Sequence, residues 1–105
     1  MAVVAFHPGE ILQELYLEPL NMSAGRLARI LGLDRQRIQR LVAQETRMTA
    51  STALLLAKAF STTPQYWMNL QANFDLQQAG NEPATRAHLE AIQPIQEEEP
   101  MVAVG

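Results

Sequence analysis

The sequence concentrates its positive charge in one stretch whose side chains are suited to bind an anion. Residues 26–47 hold six arginines against Asp34 and Glu45, which leaves a local net charge of +4 in a chain that is formally net −3. Because a focused patch and not the total charge sets the field that a polyanion experiences, the acidic total does not exclude a nucleic acid as ligand. Arginine and glutamine, which alternate in this stretch, are also able to make bidentate contacts with guanine and adenine.

The rest of the sequence has no grouping of residues that suggests catalysis. It contains no cysteine, which removes disulfides, thiolate metal sites and a cysteine nucleophile, and which fits a reducing cytoplasm. His7 and His88 stand apart without paired acidic residues, so we predict neither a metal site nor a catalytic triad. No apolar run approaches the ~20 residues that cross a bilayer. We therefore expect a cytoplasmic protein that is not an enzyme, uses no cofactor and contacts no membrane.

Residues typical of helix starts recur along the chain up to about residue 79. Small polar residues precede apolar stripes of helical period, and prolines stand at first helical positions. No stretch alternates like a strand, so the predicted fold is all-α, with five helices. The residues predicted to begin them are Pro8, Ser23, Asp34, Thr49 or Ser51, and Thr63 with Pro64. The predicted inward-facing residues include Leu12 and Leu15 of the first helix, Leu27 and Ile30 of the second, and Ile38 and Leu41 of the third.

The second and third helices have the spacing of a helix-turn-helix motif. Ala28 is small enough for two helices to cross closely, and Gly32 permits the positive φ that the turn needs. Leu33 is expected to bury the turn against the core, while Ile38 and Leu41 fix the third helix on the second. An αα-hairpin without a ligand is the alternative interpretation of this spacing.

With its apolar side inward, the third helix would present a polar face suited to the major groove of DNA. The residues predicted to read base edges there are Arg35, Gln36, Gln39 and Arg40. The residues predicted to contact DNA phosphates are Ser23, Arg26, Arg29, Arg37, Arg47 and Thr49. Helix capping is the alternative role for Thr49.

The fifth helix carries an aromatic and aliphatic stripe. Trp67, Leu70 and Phe74 recur at i, i+3 and i+7 and are predicted to form a symmetric dimer interface, since aromatic residues are enriched at such contacts. Packing in the core of the protomer is the alternative for each of them.

The composition changes after residue 79. The predicted organisation is an N-terminal arm over residues 1–6, a helix-turn-helix domain over residues 7–79 and an acidic tail over residues 80–105. We expect at most a short helix at "TRAHLEAI" in this tail and disorder in the rest. The run Glu97, Glu98 and Glu99 is interpreted as a solvated segment. The alternatives are that it mimics a nucleic acid toward a basic toxin, or that it folds back over the arginines and weakens DNA binding.

Four segments of the chain resemble the HigA-type (VapI-like) antitoxins of the Xre/Cro helix-turn-helix superfamily. They read "HPGEILQELYLEPLNMS", "RLARILGL", "TASTALLLAKAF" and "TTPQYWMNLQANFDL", and together they span about residues 7–78. The resemblance implies a five-helix, lambda-repressor-like domain that binds double-stranded operator DNA as a homodimer and represses its own operon. It also implies a second partner, a small basic RelE-like toxin that cleaves mRNA and that the antitoxin holds inactive.

The chain departs from this family pattern at the start of the second helix. Members often have a glutamine directly after the cap, where it clamps a DNA phosphate, whereas this chain has Ala24 followed by Gly25. Two other interpretations therefore stay open. One is a stand-alone Xre-type regulator without a toxin, and the other is a toxin-neutralising module that no longer binds DNA.

Overall fold

The computed structural model describes residues 4–96, and this part of the chain is helical with no strand. Its elements are α1 (Pro8–Ile11, continued by the π-helical turn Leu12–Leu17), α2 (Ala24–Leu31), α3 (Arg35–Val42), α4 (Ala50–Phe60), α5 (Pro64–Asn81) and α6 (Pro83–Ala91). The all-α prediction is confirmed, with a sixth helix in addition to the five expected. No helix within these residues combines the length and the apolar character that a bilayer crossing requires.

Side chains cap most of the helices where the sequence predicts an N-terminus. Ser23 Oγ accepts a hydrogen bond from the Arg26 amide at 3.1 Å, and Thr63 Oγ1 accepts one from the Tyr66 amide at 3.1 Å. Thr49, and not Ser51, caps α4. Asp34 occupies the predicted N-cap position of α3, but its side chain accepts no hydrogen bond from that helix.

The core face of α1 differs from the predicted one because the helix changes its hydrogen-bond pattern. Leu12 and Leu17 are both fully buried, whereas Leu15, expected to face inward, is 60% exposed. Between Leu12 and Leu17 the backbone bonds join residues five apart, as in the 2.9 Å bond from the Glu18 amide to the Gln13 carbonyl. Residues five apart therefore share a face, which replaces the predicted spacing of three and four.

Trp67 lies at the centre of the protomer core. Its side chain is fully buried, packs against the rings of Tyr16 and Tyr66 at centroid distances of 5.1 and 5.0 Å, and donates its indole N–H to Thr62 Oγ1 at 2.7 Å. That bond satisfies the only polar group of the ring, so the burial carries no desolvation penalty from an unpaired donor.

The helix-turn-helix spacing produces the expected crossing of α2 and α3. Ala28 is 1% exposed, and Gly32 ends α2 with a φ of 72°. The Leu33 amide bonds back to the Ala28 carbonyl at 2.8 Å, the six-to-one bond of a Schellman C-cap. Leu27 provides the buried apolar contact of α2, whereas Ile30, also expected inward, is 56% exposed. Leu27 and Ala28 suffice to form the close crossing, and Ile30 lies outside it.

The first turn of α1 packs directly against the C-terminal end of α3. At Gly9 the backbones approach so closely that a methyl group would overlap the carbonyl oxygen of Leu41. His7 caps this turn, since its Nδ1 accepts the Gly9 amide at 2.9 Å, and its ring meets Phe74 edge-on at 5.0 Å. Burial lowers the pKa of the His7 imidazole, which keeps the ring neutral and Nδ1 available as an acceptor at pH 7.

The region predicted as an acidic tail begins with regular helix. α5 continues through Gly80 to Asn81, and α6 covers most of the segment in which at most a short helix was expected. α6 has no buried residue, and Leu89 is 58% exposed. The three consecutive glutamates at 97–99 lie outside the described residues, as do residues 1–3.

We predict that Gly9→Ala destabilises the protein by about 3 kcal/mol, because the added methyl group forces α1 away from the end of α3. The measurement is the free energy of unfolding in urea. Gly80→Ala is the matched control: a methyl group there meets nothing within 4 Å, so it is expected to stabilise α5 by about 0.5 kcal/mol. Equal stability of Gly9→Ala and the wild type would contradict the close approach.

Candidate nucleic-acid interface

The structure places the four predicted base-reading residues on the outer surface of α3. Ile38 and Leu41 are 0% and 3% exposed and turn one side of the helix into the core. The four side chains on the remaining surface are all exposed: Arg35, Gln36, Gln39 and Arg40. The helix is thus amphipathic in the sense that the sequence predicts, with an apolar inner side and a polar outer one.

Two clefts run along α3, one on each side. The first, of about 320 Å³, separates α3 from the start of α2 and is lined by Ser23, Ala24, Gly25, Arg29, Arg35 and Gln39. The second, of about 290 Å³, faces the start of α4, and its lining includes Asp34, Gln36, Arg37, Arg40 and Thr49. Five of the six predicted phosphate-contacting residues line these clefts: Ser23 and Arg29 the first, and Arg37, Arg47 and Thr49 the second.

The guanidinium group of Arg37 forms hydrogen bonds to side chains of α4. Its Nη2 donates to Thr52 Oγ1 at 3.1 Å and to Ser51 Oγ at 3.4 Å. Thr49 shares the same cluster, with its hydroxyl 3.0 Å from Thr52 Oγ1. These contacts join α3 to the N-terminal turn of α4, so both residues have a structural role besides the predicted contact with phosphate.

Arg47 also has partners within the fold, in a polar network that no local sequence pattern predicts. Its Nη1 lies 2.7 Å from Asp75 Oδ2, and Asp75 accepts a second bond from Gln71 Nε2 at 3.0 Å. The hydrogen bond from Arg47, and to a smaller extent the one from Gln71, lowers the pKa of the Asp75 carboxyl. Gln71 is 2% exposed, and its Oε1 accepts the Met48 amide at 2.6 Å. The network therefore fastens the segment after α3 onto α5.

The local sequence contains only half of the signal for this network. Gln71 and Asp75 are four residues apart, the spacing at which side chains of one helix meet. Their partners, Arg47 and the Met48 amide, precede them by more than twenty residues, and no local pattern links the two segments.

Arg26, Arg29 and Arg35 are exposed, and within residues 4–96 their guanidinium groups form no ion pair or side-chain hydrogen bond. Arg35 lies against α2: a methyl group on Gly25 would be 3.5 Å from its Cδ. Positive charge is therefore available along α2 and on the first residue of α3.

The predicted dimer stripe does not form a continuous surface. Trp67 is fully buried in the protomer, so its expected role at an interface is wrong and its core alternative holds. Phe74 is half-buried and packs on His7. Leu70 alone of the three lines an open groove, of about 650 Å³, whose walls include Val4, Phe6 and Leu76.

Within residues 4–96, no three or more His, Cys, Asp or Glu side chains are grouped so as to hold a metal ion. His88 is exposed on α6, and His7 is used as a helix cap.

The sequence is similar to known helix-turn-helix proteins. Residues 13–67 match a family model described as "Helix-turn-helix". An uncharacterized HTH-type transcriptional regulator of Haemophilus influenzae is 47% identical over 68 residues, 65% of this chain and 64% of that protein. Virulence-associated protein I of Dichelobacter nodosus is 44% identical over 75 residues, 71% of this chain and 69% of that protein. The chain thus spans just under two thirds of the first relative's length.

A solved structure with the same fold contains DNA. The Pseudomonas aeruginosa antitoxin HigA, solved with the higBA promoter, superposes with a TM-score of 0.80 and 31% identity over 89% of this chain and 100% of that one.

Proposed function

The chain belongs to the Xre-type helix-turn-helix family that includes the HigA antitoxins, and we propose that it is a sequence-specific DNA-binding repressor that acts as a homodimer. Members of this family are DNA-binding regulators and not enzymes. The observation that carries the proposal is the outer face of α3. Gln36, Gln39 and Arg40 are exposed on it, while Ile38 and Leu41 hold its inner face in the core.

In the proposed complex α3 enters the major groove and α2 crosses the DNA backbone. Gln36, Gln39 and Arg40 contact base edges, where glutamine and arginine discriminate adenine and guanine. Ser23, Arg26 and Arg29 contact phosphates along α2. Arg37 and Arg47 add positive potential on the opposite side of α3 while they stabilise the fold. Two protomers would place their α3 helices about 34 Å apart on a palindromic operator.

Two substitutions on α3 are expected to differ in kind. Gln36→Ala should relax the base preference at one position by about 1–3 kcal/mol and leave the salt dependence unchanged, because it removes no charge. Arg40→Ala should weaken binding and lower the slope of log affinity against log salt by roughly 1. The measurement is binding to the promoter upstream of the protein's own gene at several salt concentrations.

Arg86→Ala is the matched control for charge, since Arg86 is exposed on α6 and lies on none of the clefts along α3. It should leave both affinity and slope unchanged. Wild-type binding that is undetectable, or that does not depend on salt, would refute the proposal and favour a module that has lost DNA binding.

The proposed dimer forms through the groove between the N-terminal arm and α5. Val4, Phe6 and Leu76 are 64%, 51% and 71% exposed, an unusual concentration of large apolar side chains on one surface. The Ala5 amide bonds to Gln77 Oε1 at 2.7 Å and holds the arm against α5. The groove shares no residue with the clefts along α3, so a second copy seated there leaves the DNA-binding face free.

We predict that Leu76→Asp raises the dimer dissociation constant by about 100-fold or more, because the substitution occurs twice across a two-fold axis. Sedimentation velocity over a concentration series provides the measurement. Leu54→Asp is the control, as Leu54 is 58% exposed on α4 and away from the groove. A dimer that survives Leu76→Asp, or that Leu54→Asp disrupts equally, would show that another face is used.

We further propose that the chain neutralises a small basic toxin of the RelE-like, mRNA-cleaving kind and represses the operon that encodes both. The support is the similarity to a protein solved as the antitoxin HigA with its promoter. The charge of the chain is compatible with a basic partner, since residues outside 26–47 carry a large excess of acidic side chains.

Co-expression separates the two activities of the proposed antitoxin. A small basic protein encoded beside this gene should arrest growth, and the wild-type chain should restore growth and reduce transcription from their promoter. Arg40→Ala should restore growth equally well while it loses repression. A gene that stands alone, or a neighbour whose expression is harmless, would instead identify a stand-alone regulator.

A further inference from the structure

The first residue of α3, Arg35, lies on a different side of the helix from Gln36 and Arg40. A methyl group built on Gly25 would lie 3.5 Å from Cδ of Arg35 and 3.8 Å from its Cγ and Nε. The aliphatic part of Arg35 therefore runs across the surface of Gly25 at the start of α2. Gln36 and Arg40 line the clefts on the opposite side of α3 instead.

Arg35 contributes to a cleft of pronounced positive character. The cleft between α2 and α3 is lined by two arginines, Arg29 and Arg35, and by the polar residues Ser23 and Gln39. No acidic residue lines it, whereas the cleft on the side of α4 includes Asp34. Both arginines are exposed, and their side chains form no ion pair or hydrogen bond within residues 4–96, so their N–H donors are available to an anion.

The place of this cleft decides which anion fits it. In a helix-turn-helix complex the first helix of the motif crosses the DNA backbone while the outer face of the second helix meets the bases. A side chain of α3 that lies against the start of α2 is therefore on the backbone side. A guanidinium group matches the geometry of phosphate oxygens with paired N–H donors.

We propose that Arg35, together with Arg29, binds a phosphate of the DNA backbone in this cleft and does not read a base. The inference rests on the DNA-binding function proposed above and revises the role expected for Arg35 from its position at the start of α3. Ala24, which lines the same cleft, has a methyl group that cannot bind phosphate, so the arginine supplies a contact that the start of α2 does not. Arg35 is thus a positioning residue that fixes how α3 enters the groove.

The test compares Arg35→Ala with Gln36→Ala in two measurements, salt-dependent affinity for the protein's own promoter and base preference selected from a randomised DNA pool. Arg35→Ala should lower affinity about 10-fold on every sequence, lower the salt slope by roughly 1 and leave the selected sequence unchanged. Gln36→Ala should leave the salt slope unchanged and relax the selected sequence at one position. Arg35→Lys should keep the salt slope, because it keeps the charge. Since the Arg35 side chain is exposed and makes no hydrogen bond within the described chain, each variant should unfold at the wild-type temperature.

A second comparison tests whether position 24 and Arg35 serve the same phosphate. Ala24→Gln places an amide donor in the cleft and should raise the affinity of Arg35→Ala by more than it raises that of the wild type. Equal gains in the two backgrounds would show that Arg35 and position 24 contact different phosphates, which would overturn the assignment of Arg35 to this cleft.

The outcomes also separate this inference from the function on which it rests. If wild-type protein binds DNA and Arg35→Ala selects a different base at one position with an unchanged salt slope, Arg35 reads a base and only this inference fails. If the wild type binds no DNA at low salt, the proposed repressor function fails and this inference fails with it.

Discussion

The position of α3 depends on a contact between two backbones, the approach of Gly9 to the Leu41 carbonyl. A side chain at residue 9 would separate the first turn of α1 from the end of α3, and the capping bond from His7 to the Gly9 amide keeps that turn in place. Because the contact involves backbone atoms, it fixes α3 more rigidly than side chains with several rotamers would. The opposite end of α3 is fixed by the turn at Gly32 and by the crossing at Ala28.

The arginines of the basic segment divide into two groups according to their partners. Arg37 and Arg47 join α3 and the segment after it to α4 and α5 through hydrogen bonds and an ion pair. Arg26, Arg29, Arg35 and Arg40 are exposed and form no ion pair or side-chain hydrogen bond within residues 4–96. The first group holds α3 and the segment after it in place, and the second leaves positive charge at the surface that would attract a polyanion. Neither role can be inferred from the formal net charge of the chain, which is −3.

Local chemistry explains why much of the fold could be predicted. Ser23, Thr49 and Thr63 cap helices because their oxygens bond to amides three residues later, and Gly32 turns the chain because it tolerates positive φ. The mispredictions at Leu15 and Ile30 have a different origin. A stripe of period 3.6 assumes regular α-helix and full burial of every apolar position. The π-helical turn in α1 changes the period, and α2 is covered by α3 over only part of its apolar side.

By itself, the sequence determined the helices, the helix-turn-helix spacing and the polar residues of α3, since these depend on neighbours within a few positions. Only the tertiary structure decided which side chains are free to bind. It placed Trp67 in the core instead of at an interface, engaged Arg47 with Asp75, and laid Arg35 across Gly25. Each of these outcomes depends on contacts between different elements, and the residue types on either side are compatible with several partners until the helices are packed.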